Sequence, residues 1–228
     1  MWEKELDVAR QAANNAGKIL NSLFGRVDRI SKKGEIDLVT EADLQSEEII
    51  LDIISYNFPQ DSILTEEAGK YDHLPERIWI IDPLDGTTNF AHGFPVFAVS
   101  IALEIEKELV LGLIFNPYLG EHFEAVKGEG ASLNGSPIKV SSIGELRESL
   151  MATGFPYTIY EDPQGVMELL QKMIVLVQGV RRPGSAAIDL CYVAAGRLDG
   201  FWEEGLNPLG YGCRKSDRKR GRGQSEQL

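Results

Sequence analysis

Two carboxylates three residues apart, Asp82 and Asp85, follow directly on an apolar run, Ile78-Trp79-Ile80-Ile81. Such a run reads as a strand buried on both faces. The carboxylates therefore stand at the end of a sheet strand. Pro83 stiffens the link between them, and Gly86 permits a turn that a side chain would hinder. Thr87-Thr88-Asn89 are helix-starting types, so a helix is expected to begin there. The free N–H groups at a helix start form a natural phosphate seat. Carboxylates beside that seat would repel a phosphate unless cations lay between them. Mg²⁺ prefers oxygen ligands and shares its shell with substrate phosphate, so Asp82 and Asp85 are candidate Mg²⁺ ligands. Asp-Pro and Asp-Gly also mark plain turns, and that alternative stays open on spacing alone. A second pair, Glu66-Glu67, follows the short apolar segment Ser62-Ile63-Leu64-Thr65 and reads either as a solvated loop or as further ligands.

The elements that must position these groups are legible from periodicity. Residues 2–24 carry Leu6, Ala9, Ala13, Ala16, Leu20 and Leu23 at helical spacing, with Gly25 as a stop. Thr40 and Asp43 form a capping-box start. The helix that follows is expected from about Glu41 to Tyr56, with Leu44, Ile49, Ile50, Ile53 and Ile54 as its apolar face. Strands are expected at 62–65, 78–81, 96–105, 109–115 and 122–126. A hairpin is expected over 128–140 at Asn134-Gly135. A second half follows: a strand at 150–153, a helix at 166–177, an extended segment at 180–182, a helix at 185–195 and a strand at 197–202. Helices, then a strand-rich sheet, then alternating elements indicate a layered α/β sandwich.

Composition narrows the function classes. The chain has 228 residues, 43% hydrophobic and 25% charged, with a net charge of −12. Residues 1–208 carry 17 basic and 33 acidic side chains. That sign argues against a nucleic-acid partner and suits a protein that gathers divalent cations. Two cysteines, Cys191 and Cys213, argue against a disulfide framework or a thiolate zinc site. No apolar run is long enough to span a bilayer, and the N-terminus lacks the layout of a signal peptide; a cytoplasmic protein is expected. His73, His92 and His122 are scattered and are assigned no chemistry. Cys191 reads as a core residue.

The string Asp82-Pro83-Leu84-Asp85-Gly86-Thr87-Thr88-Asn89-Phe90 resembles the signature of the inositol monophosphatase family. Asp37-Leu38-Val39-Thr40-Glu41-Ala42-Asp43, Leu64-Thr65-Glu66-Glu67, Gly184-Ser185-Ala186-Ala187 and Gly196-Arg197-Leu198-Asp199-Gly200 resemble its other motifs, in the family's order over residues 1–208. The resemblance implies an αβαβα sandwich and a Mg²⁺-dependent phosphomonoesterase that uses two or three ions. Carried over by position, Glu66, Asp82 and the Leu84 carbonyl hold the first ion. Asp82 and Asp85 hold the second with one late aspartate, and Glu66 helps place a third. Thr87, backed by Asp43, orients and deprotonates the attacking water, with Glu66 counted among the catalytic residues. Gly86, Thr87 and Thr88 face the phosphate. Asp85, Ser185, Ala186 and Glu203 face the hydroxyls of a sugar or cyclitol. The implied substrate is myo-inositol 1-phosphate; fructose 1,6-bisphosphate, 3′-phosphoadenosine 5′-phosphate and histidinol phosphate are rivals within the superfamily. The short segment between Lys70 and Arg77 suits a small monophosphate or a relaxed specificity. The resemblance also implies a homodimer.

The sequence departs from this pattern at one place. After Asn207-Pro208 the family continues Trp-Asp-x-Ala-Ala-Gly, and that Asp completes the second ion site. This chain has Leu209-Gly210-Tyr211-Gly212-Cys213-Arg214, with Gly210 at the ligand position. Residues 209–228 carry six basic and two acidic side chains and no apolar periodicity, a composition that folds poorly. The six residues can be written TTG GGA TAC GGC TGC AGG. Without the first base this reads Trp-Asp-Thr-Ala-Ala-Gly. A single-base frameshift near Pro208 would account for the basic tail; a genuine, diverged basic tail is the alternative. A catalytically impaired remnant that binds metal without turnover is the alternative reading.

Overall fold

The computed structural model describes residues 2–26, 30–32, 38–65, 76–156 and 159–205. Glu66, Glu67, His73, Gly210, the segment from Lys70 towards Arg77 and the basic tail lie outside the described residues.

Helix α1 (Glu3–Leu23) buries Val8, Ala9, Ala12, Ala13, Ala16, Gly17 and Leu20 along one stripe. Strands β1 (Ile30–Lys32) and β2 (Leu38–Thr40) pair antiparallel and lead into α2 (Glu41–Asn57). The capping box is present: Asp43 accepts from the Thr40 amide at 2.8 Å, and the Thr40 hydroxyl accepts from the Ala42 amide at 3.1 Å. The buried face of α2 is Ala42, Asp43, Ser46, Glu47, Ile50 and Ile54. Leu44, expected in that face, is exposed. It lies about 100° round the helix from Asp43, and the buried positions of the first turns are Ala42 and the polar Asp43, Ser46 and Glu47.

A seven-stranded sheet follows. It is built from β3 (Ser62–Thr65), β4 (Arg77–Asp85), β5 (Ala98–Ile105), β6 (Glu108–Asn116), β7 (Glu121–Val126), β8 (Gly130–Leu133) and β9 (Ser136–Pro137), in that order across the sheet. Only β3 and β4 run parallel; every later neighbour is antiparallel. A short helix, α3 (Thr87–Ala91), leaves the end of β4. Asn134, with φ +49°, and Gly135 make the expected hairpin turn. α1 and α2 pack together, α2 against β4 and α1 against β5 and β6. The contact with β6 is close at Gly17, where a Cβ would stand 2.4 Å from Phe115 Cε1 and 2.9 Å from Pro117 Cβ. Gly17→Ala is therefore expected to destabilise the chain by about 1–3 kcal/mol through overpacking, although alanine is the better helix former. A lower urea midpoint for the variant checks this.

The second half carries β10 (Leu150–Thr153), α4 (Gln164–Ile174), β11 (Gly179–Arg181), α5 (Ala186–Ala194) and β12 (Gly200–Trp202). Its three strands are parallel, in the order β11-β10-β12. The chain moves one way across this sheet through α4 and the other way through α5. Right-handed crossovers then place the two helices on opposite faces. α5 packs on β12 and also reaches β5 and β6 of the large sheet. The layers are thus α1 with α2, the large sheet, α5, the small sheet and α4, which is the αβαβα order expected. The last strand starts at Gly200 rather than Arg197. The amides of Arg197 and Leu198 both donate to the Tyr192 carbonyl, closing the C-terminus of α5.

Candidate functional site

The strand carrying the two carboxylates does not stop before them. β4 runs on to Asp85, with a register shift against β5 between Asp82, opposite Ser100, and Asp85, opposite Ala98. The irregularity re-aims the strand end, as bulges beside sites do. Gly86 then turns the chain with φ +90°. A Cβ there would stand 2.9 Å from the Val96 carbonyl oxygen. Glycine is required on both counts. Thr87 and Thr88 head α3, where the first amides have no intrahelical acceptor. Phe90 fixes α3 from below: it is fully buried, edge-on to Phe97 at 5.0 Å.

Asp43 reaches this turn from α2. Its Oδ1 accepts from the Thr87 hydroxyl at 3.0 Å, and its Oδ2 from the Thr40 hydroxyl at 2.6 Å. The Thr87 hydroxyl lies equally near the Leu84 carbonyl, at 3.0 Å. Burial raises Asp43 above the ordinary carboxylate range, and donation from Thr40 and Thr87 holds it back. Asp82 is 8% exposed and accepts from the Leu84 amide at 3.1 Å. Ser46 fixes the segment between the carboxylates by donating to the Pro83 carbonyl at 2.8 Å.

The second half closes on Asp85. Its Oδ2 accepts from the Ser185 hydroxyl at 2.5 Å and the Ala187 amide at 2.9 Å. Burial raises Asp85, opposed by the Ser185 hydroxyl and by amides at the start of α5. Asn89 makes a second tie, donating to the Val96 carbonyl at 2.7 Å and the Pro183 carbonyl at 2.8 Å. Glu203 packs over Gly154. Burial pushes its carboxyl up to about 7, with Arg182 lowering it and Asp85 raising it.

Asp82, Leu84, Asp85, Gly86, Thr87 and Thr88 thus share one strand end, joined by Asp43 from one side and by Ser185 and Ala186 from the other. Sequence reasoning missed Asp189, which is 1% exposed with Oδ1 lacking a hydrogen-bond partner among the described residues. The signal was its place one turn after Ser185 on the expected helix. Burial, then Asp85 and Glu203, push its carboxyl up to about 8 against Arg182. In the fold it stays protonated from about pH 4 to 8, where the unfolded chain ionises it. Stability is therefore full below that window and falls as pH rises through it. Asp189→Asn is expected to flatten this slope and to stabilise the chain in EDTA by about 2 kcal/mol near pH 8. Urea unfolding of both proteins at about pH 5 and about pH 8 checks it.

Among the described residues no three His, Cys, Asp or Glu side chains are grouped to hold a metal. Asp82, the Leu84 carbonyl and Asp85 lie within four residues at the end of β4, and oxygen donors of this kind suit a hard cation. Asp43 is buried and Asp85 partly buried, and their hydrogen-bond partners among the described residues are neutral hydroxyl and amide groups, so nearby positive charge would offset their desolvation.

The sequence profile of the inositol monophosphatase family matches residues 1–211. An inositol-1-monophosphatase of Synechocystis sp. is 48% identical over 205 residues, which are 89% of this chain and 71% of the relative. The crystal structure of extragenic suppressor protein suhB from Bartonella henselae superposes with a TM-score of 0.86 at 41% identity, covering 92% of this chain and 81% of that one. The structure of inositol monophosphatase from Anabaena (Nostoc) sp. gives a TM-score of 0.81 at 44% identity, covering 92% and 78%. Profile, sequence and fold agree: the chain belongs to the inositol monophosphatase family, and its homologues there are metal-dependent phosphatases.

Proposed function

We propose that the site hydrolyses a small polyol phosphate monoester, with myo-inositol 1-phosphate as the leading substrate and two or three Mg²⁺ as the resident cations. The observation that carries this reading is the Thr87–Asp43 hydrogen bond, made just beyond the strand end that carries Asp82 and Asp85. Phosphomonoester hydrolysis is among the slowest uncatalysed reactions, so a positioned water must be activated by several effects at once. Bound cations would lower the pKa of that water and stabilise the leaving oxygen. In this reading Glu66, Asp82, the Leu84 carbonyl and Asp85 hold them. Thr87 Oγ1 accepts a proton from the water as its own passes towards Asp43 Oδ1. Amides at Gly86, Thr87 and Thr88 hold the phosphate oxygens. Asp85, Ala186 and Glu203 face the polyol, as does the turn that begins at Ser185.

Residues 1–208 are the phosphatase region, and residues 209–228 are read as frameshift-derived. No described helix is long and apolar enough to cross a membrane. A cytoplasmic homodimer is proposed, without a nucleic-acid partner, since the acidic body would repel a phosphate backbone. Gly210 favours a second reading, a remnant that binds cations without turnover, because glycine supplies no ligand oxygen.

Thr87→Ala in a frame-restored chain is expected to lower kcat by about 10²–10⁴-fold with little change in KM. Asp43→Asn is expected to act in the same direction. Inorganic phosphate release across inositol 1-phosphate, fructose 1,6-bisphosphate, 3′-phosphoadenosine 5′-phosphate and histidinol phosphate tests the substrate. Release from none of them in Mg²⁺ would end the leading reading.

A further inference from the structure

Ser185 sits where the resemblance implies a contact with substrate hydroxyls, yet the residue is 1% exposed. Its hydroxyl is engaged twice within the protein. It donates to Asp85 Oδ2 at 2.5 Å and accepts from the Ile188 amide at 3.3 Å, capping α5. The Ala187 amide donates to the same Asp85 oxygen at 2.9 Å. Two donors on one oxygen fix the rotation of the carboxylate. They also join the end of β4 to the start of α5, across 100 residues of sequence and between the two sheets. We infer that Ser185 is a positioning residue, which holds the Asp85 carboxylate in the orientation that the cation side of the site needs. The inference rests on the reading of Asp85 as a cation ligand. Partners one step removed from a metal ligand commonly change its affinity by about 10–100-fold.

Capping and positioning can be separated by chemistry. Glycine is tolerated at a helix N-cap and alanine is not, yet neither carries a hydroxyl; threonine keeps the hydroxyl. The first readout is the ¹³C carboxyl resonance of Asp85 in the metal-free chain, assigned by its loss in Asp85→Asn. Ser185→Ala and Ser185→Gly are expected to move it alike, and Ser185→Thr to leave it in place. The second readout is Mn²⁺ binding by calorimetry to the frame-restored chain. Both hydroxyl-free variants are expected to bind about 10-fold more weakly, with Ser185→Thr near wild type. An unmoved resonance in a chain that binds Mn²⁺ overturns the inference. So does an affinity that falls in Ser185→Ala but not in Ser185→Gly, the pattern of capping alone. If the frame-restored chain with Ser185 in place takes up no Mn²⁺ while the resonance moves, the reading of Asp85 as a ligand is at fault, and the inference falls with it.

Discussion

Asp82→Asn is expected to remove divalent-cation binding at the strand end and to lower phosphate release by at least about 10³-fold in a frame-restored chain, close to 4 kcal/mol of transition-state stabilisation. The substitution keeps shape and removes charge. The amide oxygen can still accept from the Leu84 amide, which Asp82 does now at 3.1 Å. Loss of that contact should therefore not lower folding stability, and the melt reads whatever change remains. In the proposed scheme Asp82 is shared by two cations, so its loss would disarm both the water and the leaving oxygen. Calorimetric Mg²⁺ titration beside an activity assay and a urea melt checks all three parts. Unaltered turnover would remove Asp82 from the site.

Restoring the reading frame near Pro208 is the second large change. The chain as given has Gly210 where the resemblance implies the last ligand of the second cation. It is expected to show weak or no phosphatase activity. A version with Trp-Asp-Thr-Ala-Ala-Gly from residue 209 is expected to recover it clearly. The physical reason is coordination. In the proposed scheme, with Gly210, only Asp82 and Asp85 would remain to hold a cation that prefers a full oxygen shell. Without that ion the leaving oxygen loses its electrostatic partner. Equal Mg²⁺-dependent rates for the two proteins would contradict this, and a clean frame in the nucleotide sequence across the Asn207 codon would end the frameshift reading.

The parts of the fold that were legible are those where side-chain period and backbone chemistry agree. The apolar run of β4 and the stripe of α1 each state their element locally. So do the Thr40–Asp43 box and Asn134-Gly135. Leu44 was misjudged because an apolar residue on a helix carries no mark of which face is buried; that face of α2 turns polar towards the site. The strand at 197–202 was overextended because hydropathy does not report that two amides are already used by Tyr192. The site divides in the same way. Asp82 to Thr88 are contiguous and announced themselves as a motif. Asp43 was reached only through the resemblance. Its meeting with Thr87, and that of Ser185 with Asp85, span 44 and 100 residues, and only the packed sheets bring them together. Asp189 was missed because an acidic residue in the first turn of a helix ordinarily reads as a dipole partner in solvent, not as a buried group beside two other carboxylates.

The account stands most directly on one measurement, phosphate release from myo-inositol 1-phosphate by the frame-restored chain in Mg²⁺, in EDTA, and after Mg²⁺ is returned. Turnover that vanishes in EDTA and comes back with the metal is the predicted result. A rate that persists unchanged in EDTA would contradict it.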